Sequence, residues 1–213
     1  MTMPLDFILL PIVRHQGIDQ SDLPGLSAVL PPRRAGRGRA QDRLIMHLSL
    51  QGNAPLSAKA YAKLLDSLAE EDWNKPSGNP AWTVGHLMVH MTFAPRMLPA
   101  DVSLIRGGGW MPKLPAFLFN WSNVWMTRWA ARKESLGTVG ASYDAAHQRA
   151  LDLLDTIQED EWGLSREYPD WDPMLSGTVT IERLFHYLTE HFEVHAEQVR
   201  QGLAGEVPAL EKE

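Results

Sequence analysis

The chain has 213 residues, 44% of them hydrophobic, a formal net charge of −6 and no cysteine. That length buries one sizeable core and leaves little room for a second catalytic domain. Without a thiol there is no disulfide, no thiolate metal ligand and no cysteine nucleophile, so any metal must be held by nitrogen and oxygen, and the composition fits a reducing cytoplasm.

The charge is unevenly spread. Residues 1–45 carry six arginines against four acids, whereas the remainder carries fourteen basic against twenty-two acidic side chains. An acidic body repels phosphate backbones, which argues against nucleic acid as the principal partner. The apolar run from Leu5 to Val13 is interrupted by Asp6 and Pro11 and has no basic segment before it. It reads as neither a signal peptide nor a membrane span. From Gln16 to Arg43 the chain is rich in Pro, Gly, Arg and Asp without apolar periodicity, which reads as disordered. Because Met46 opens a more ordinary sequence, residues 1–45 read either as a disordered basic tail or as a misassigned start, with translation expected from Met46 in the second case.

After Pro55, SAKAYAKLLDSLAEEDW repeats Tyr61, Leu64, Leu65 and Leu68 at helical spacing and breaks at Lys75-Pro76-Ser77-Gly78. A second helix is expected after Trp82, with Thr83 as N-cap, running to Pro99 with a kink at Pro95. Residues 101–115, with Gly107-Gly108-Gly109 and two prolines, read as a loop. AFLFNWSNVWMTRWAARK is again helical, and its aromatics at Phe117, Trp121, Trp125 and Trp129 form a stripe that suits a core or a subunit interface, with a ligand-pocket wall as the alternative. SYDAAHQRALDLLDTIQ gives another helix. The last begins at Thr178 or Thr180, neither of which makes a capping box, and stops at Gly205 before an acidic tail, 206–213. No segment sustains period-two alternation. The expected fold is therefore all-α: an antiparallel four-helix bundle over 46–205 with an extra Trp-rich helix. So much tryptophan also suits a homodimer, with no face singled out.

His191 and His195 are four apart and interrupt a stripe of Leu184, Leu188, Val199 and Leu203 that otherwise points into the core. A lone histidine there would be a hydrogen-bonded core residue, but two imidazoles one turn apart are spaced to share an ion. His90, on a stripe with Leu87, Ala94 and Met97, supplies a third if its helix neighbours the last one, leaving at least one open position. His86, one turn earlier, is a fourth ligand, a proton carrier or a polar residue at the helix mouth. The last two are favoured, because a fourth imidazole closes the site, and His86 is the candidate acid–base residue. His186 falls on another face. His15, His47 and His147 have no partner at ligand spacing. A zincin needs glutamate beside the first histidine, whereas here the order is His191-Phe192-Glu193-Val194-His195, which turns Glu193 away.

AWTVGHLMVHMT and TIERLFHYLTEHFEVHAEQ together resemble the DinB-like superfamily of metal-dependent enzymes, which includes thiol-dependent S-transferases and the maleylpyruvate isomerase metal-binding domain. LLDSLAEEDWNKP and ASYDAAHQRALDLLDTIQEDEW extend the likeness to roughly residues 54–202. The resemblance implies an up-down-down-up bundle whose metal is bound by His90, His191 and His195. Where the family usually has an acidic or other polar residue after Val-Gly, this chain has His86. The implied activity is that of a metal-dependent S-transferase, isomerase or hydrolase acting on a small electrophile, with a divalent ion, zinc or nickel foremost, and a low-molecular-weight thiol as cosubstrate. The rival reading is a non-catalytic protein that sequesters a metal or small ligand.

Overall fold

The structure, a computed structural model, describes residues 58–107, 114–172 and 174–207. Expectations for residues 1–45 and for the tail beyond 207 lie outside them. The fold is all-α apart from one small hairpin. Helix α1 is described over 58–66, followed by a 3-10 turn at Glu70–Asp72. Then come α2 (Val84–His90), α3 (Phe93–Gly107), α4 (Ala116–Ala131), α5 (Leu136–Leu154), β1 (Ser165–Tyr168), β2 (Gly177–Thr180) and α6 (Ile181–Ala204). Among the described residues no helix is long and apolar enough to cross a membrane.

The start of α2 shows why a short helix forms here. The first three amides of a helix need outside acceptors. Val84 N–H donates to the Lys75 carbonyl, Gly85 N–H to that of Trp73, and His86 N–H to Thr83 Oγ1. Gly85 is required because a Cβ there would lie 2.5 Å from the Trp73 ring. The helix stops after His90 because Pro95 has no N–H for the Met91 carbonyl and its ring crowds it. Thus the expected kink is a break at Met91–Thr92. After it the chain continues as α3 past Pro99 to Gly107, so the expected loop is helical over 101–107, held by buried Leu98, Val102 and Ile105.

The Trp-rich α4 exposes the stripe expected to suit a core or a subunit interface, which takes it out of this chain's own core: Phe117, Trp121, Trp125 and Trp129 are 36–69% accessible. Its buried row is Phe119, Asn123, Thr127 and Ala131, and the small residues in that row let α4 lie against α2. The hairpin pairs Ser165 with Thr180 and Tyr168 with Gly177, antiparallel. It delivers the chain to α6, where Thr180 Oγ1 accepts from Arg183 N–H and the Ile181 and Glu182 amides donate to the Leu164 and Trp162 carbonyls. At the other end of α6, Gly205 takes the left-handed conformation (φ 76°) that ends a helix cheaply only at glycine.

Two apolar clusters fill the interior along the helix axes. One holds Tyr61, Leu64, Leu87, Met88, Val139, Tyr143, Phe192 and Val199; the other holds Leu98, Val102, Ala150, Leu154, Leu184 and Tyr187. In each of the chain segments α2–α3 and α6, the histidines fall where one cluster gives way to the other. α3 packs against α5 and α6, and α2 against α4, α5 and α6.

Candidate metal centre

Because α2 and α6 are neighbours, His90 meets His191 and His195. One ligand nitrogen from each ring lies within 4.8 Å of the others, and among the described residues no other set of three or more His, Asp or Glu meets in this way. The ring centroids are 5.0 Å apart for His90–His191, 4.7 Å for His90–His195 and 4.5 Å for His191–His195. All three side chains are buried, His90 completely. Trp82 lies against His90 and His195 at 4.4 and 6.0 Å, and Phe93 and Tyr187 close the sides.

The donor set fits a divalent ion. His90 Nε2 and His191 Nε2 are 3.2 Å apart. A tetrahedral ion at about 2.0–2.1 Å from each nitrogen would separate two of them by about 3.3 Å. Burial pushes the His90 and His191 imidazoles well below their ordinary pKa, reinforced by repulsion from His195 on both and from His191 on His90. Both are therefore neutral near pH 7, the form in which imidazole offers a lone pair.

Hydrogen bonds aim two of the rings. His195 Nδ1 lies 2.8 Å from Gln198 Oε1, so Nδ1 carries the hydrogen and Nε2 remains to bind. Gln198 is itself placed by the 76–79 loop, whose Gly78 N–H donates to the Gln198 carbonyl at 2.8 Å. His90 Nδ1 lies 3.3 Å from Thr127 Oγ1, which donates at 3.4 Å to Asn123 Oδ1. Such partners hold a ligand histidine in one tautomer. Asn123 Nδ2 and Trp82 Nε1 are buried hydrogen-bond donors with no partner among the described residues. Trp82 packs against two of the rings, and Asn123 accepts from the residue that partners His90.

The sequence singled out the triad by helical spacing, but not Thr127, Asn123 or Gln198. Gln198 was a polar residue one turn past His195 on a buried face, a signal that could have been used. Thr127 and Asn123 were hidden because the neighbouring tryptophans suggested the opposite face of α4 as the buried one. His86 is not among the three rings that meet. It is half-buried at the third position of α2, where its Nδ1 accepts from Thr83 N–H at 3.1 Å, leaving its hydrogen on Nε2. Burial and nearby Arg128 lower its pKa. Glu193 is exposed, as the zincin argument required. His186 lies at the surface, 3.9 Å from Glu182.

The family model of the DinB superfamily matches residues 56–199, a span that contains α1 to α5, the hairpin and most of α6. Comparisons with curated proteins and with solved structures find no match.

Proposed function

Since this chain belongs to the DinB superfamily, we propose that it is a metal-dependent enzyme acting on a small electrophile, as a thiol S-transferase or as an isomerase or hydrolase. The observation that carries this reading is the buried triad itself: three imidazole nitrogen donors, two of them oriented by hydrogen bonds, with no carboxylate joining the set among the described residues. His90, His191 and His195 would hold a divalent ion, and zinc or nickel is the proposed one among the metals that imidazole suits. Such an ion lowers the pKa of a thiol or water at its open position, so that it attacks at neutral pH.

The remaining chemistry falls to the protein. Gln198 and Thr127 keep two ligand nitrogens aimed, and Trp82 and Phe93 keep bulk water from the rings. His86 Nε2–H is the proposed proton carrier, one helical turn from His90. A His86→Gln variant then retains its metal and loses turnover by about 10²–10⁴-fold, the usual range for a general acid or base. Loss of metal in that variant would instead make His86 a ligand.

One observation favours a second reading. The triad is only 0–6% accessible, which suits a protein that sequesters its ion without reacting. Elemental analysis of the purified full chain, His195→Ala, and a panel of thiols with alkylating and epoxide electrophiles separate the cases. Metal in the parent chain, its loss in His195→Ala, and metal-dependent turnover support the enzyme. Metal without turnover across the panel supports sequestration. No metal in either protein defeats both readings.

A further inference from the structure

The outer face of α4 carries an exposed aromatic row that the metal centre does not use. Phe117, Trp121, Trp125 and Trp129 stand in water with Leu114 and Leu118 beside them. At about 150–250 Å² per aromatic side chain, the exposed part is on the order of 600 Å² of apolar surface. That lies at the upper end of the largest patch on an ordinary monomer, about 300–600 Å². It is also most of the roughly 800 Å² that one partner contributes to a standard stable interface. The Trp125 and Trp129 rings are near-parallel at 6.4 Å, Lys133 Nζ sits 3.5 Å over Trp129, and a groove of about 250 Å³ opens between Trp121, Val124, Trp125, Arg128, Trp129 and Arg132.

We propose that this face is the contact between two copies of the chain, paired by a two-fold axis near Trp121 and Trp125. Charge placement selects this occupant. Residues 116–133 carry Arg128, Arg132 and Lys133 and no acid, so the first three turns of α4 have no charge at all. A two-fold contact centred there desolvates chiefly uncharged side chains, while Arg128 and Arg132, which line the groove beside Trp125 and Trp129, fall toward its two ends, where interfaces tolerate charge. With antiparallel helices, the two cationic ends stand about 20 Å apart at 1.5 Å per residue, beyond the screening length of about 10 Å. A single-stranded polyanion would instead need cations spaced along the whole ridge. The chain's own residues 1–45 carry six arginines against four acids and would meet a basic face with like charge.

Sedimentation velocity of the full chain, from about 1 to 100 µM, tests the proposal. The expected species has twice the 23.9 kDa chain mass. Trp121→Glu and Trp125→Glu should each weaken the dimer by at least about thirtyfold, as anchor residues do. Because both side chains are exposed, the variants keep the parent's circular dichroism and metal uptake. Leu164→Glu, exposed outside α4, leaves the dimer intact. The proposal is overturned if the parent chain is monomeric throughout, or if its dimer survives both tryptophan substitutions. It is equally overturned if a monomeric parent shows saturable tryptophan quenching by a single-stranded oligonucleotide or an anionic phospholipid vesicle, since the face then serves another class of partner.

Discussion

Gln198→Leu isolates the hydrogen bond that orients His195 while changing little volume. In the parent chain the Gln198 Oε1 acceptor, 2.8 Å from Nδ1, holds the hydrogen on that nitrogen and leaves Nε2 bare. In the leucine variant the metal-free ring escapes the loss by moving its hydrogen to Nε2 and turning that atom toward its neighbours. Binding an ion through Nε2 then forces the hydrogen back onto a buried Nδ1 with no acceptor. A buried donor left unsatisfied costs about 1–3 kcal/mol. At about 1.4 kcal/mol per factor of ten, metal affinity falls roughly five- to hundredfold. Gln198→Glu keeps the acceptor and makes it anionic, so affinity is retained or rises. Chelator competition with zinc and nickel, alongside circular dichroism, reads both variants. Two well-folded variants within twofold of the parent would refute the idea that Gln198 acts on a bound ion through His195.

Buried Asp101, which accepts from Tyr168 Oη at 3.1 Å, has its carboxyl pushed by burial from the ordinary 3.8 up to about 7, against a smaller opposing effect of that hydrogen bond. The folded chain holds this proton more tightly than the unfolded one, so its stabilising effect is full below about pH 4 and is lost as pH rises to 7, by about 1.4 kcal/mol per unit. Asp101→Asn should remove that slope from urea unfolding measured between pH 4 and 8, whereas parallel pH profiles would contradict it. Gly85→Ala, which puts a methyl into the Trp73 ring, should cost about 1–3 kcal/mol by the same assay, and an unchanged midpoint would disprove the close approach. Thr127→Val, which removes the partner of His90 Nδ1 without changing shape, should weaken metal binding about tenfold, read by chelator competition, and leave the unfolding midpoint within about 1 kcal/mol.

The parts of this molecule legible in the sequence are those that depend on spacing along one helix. His191 and His195 had to share a face, that face had to be internal because Leu184 and Val199 flank it, and the same reasoning turned His90 inward. Thr83, Thr180 and Gly205 were legible because a cap is a local hydrogen bond or a local φ. What escaped depends on the approach of distant segments. Four-residue strands such as Ser165–Tyr168 are too short to display alternation, and they exist because Gly177–Thr180 returns beside them. Leu98, Val102 and Ile105 did carry helical periodicity past Pro99, but the glycine run masked it. On α4 the aromatic stripe left core and subunit interface both open, and the structure takes it out of the chain's own core. The row with Asn123 and Thr127 faces the interior because small polar side chains admit α2 at close range and give His90 a partner.

X-ray absorption at the zinc edge of the zinc-loaded full chain tests the central claim most directly, because it counts imidazoles around the ion. The triad predicts scattering from three histidine rings with nitrogens at about 2.0–2.1 Å, together with at least one further light atom. An ion surrounded by oxygen, or by fewer than three imidazoles, would contradict it.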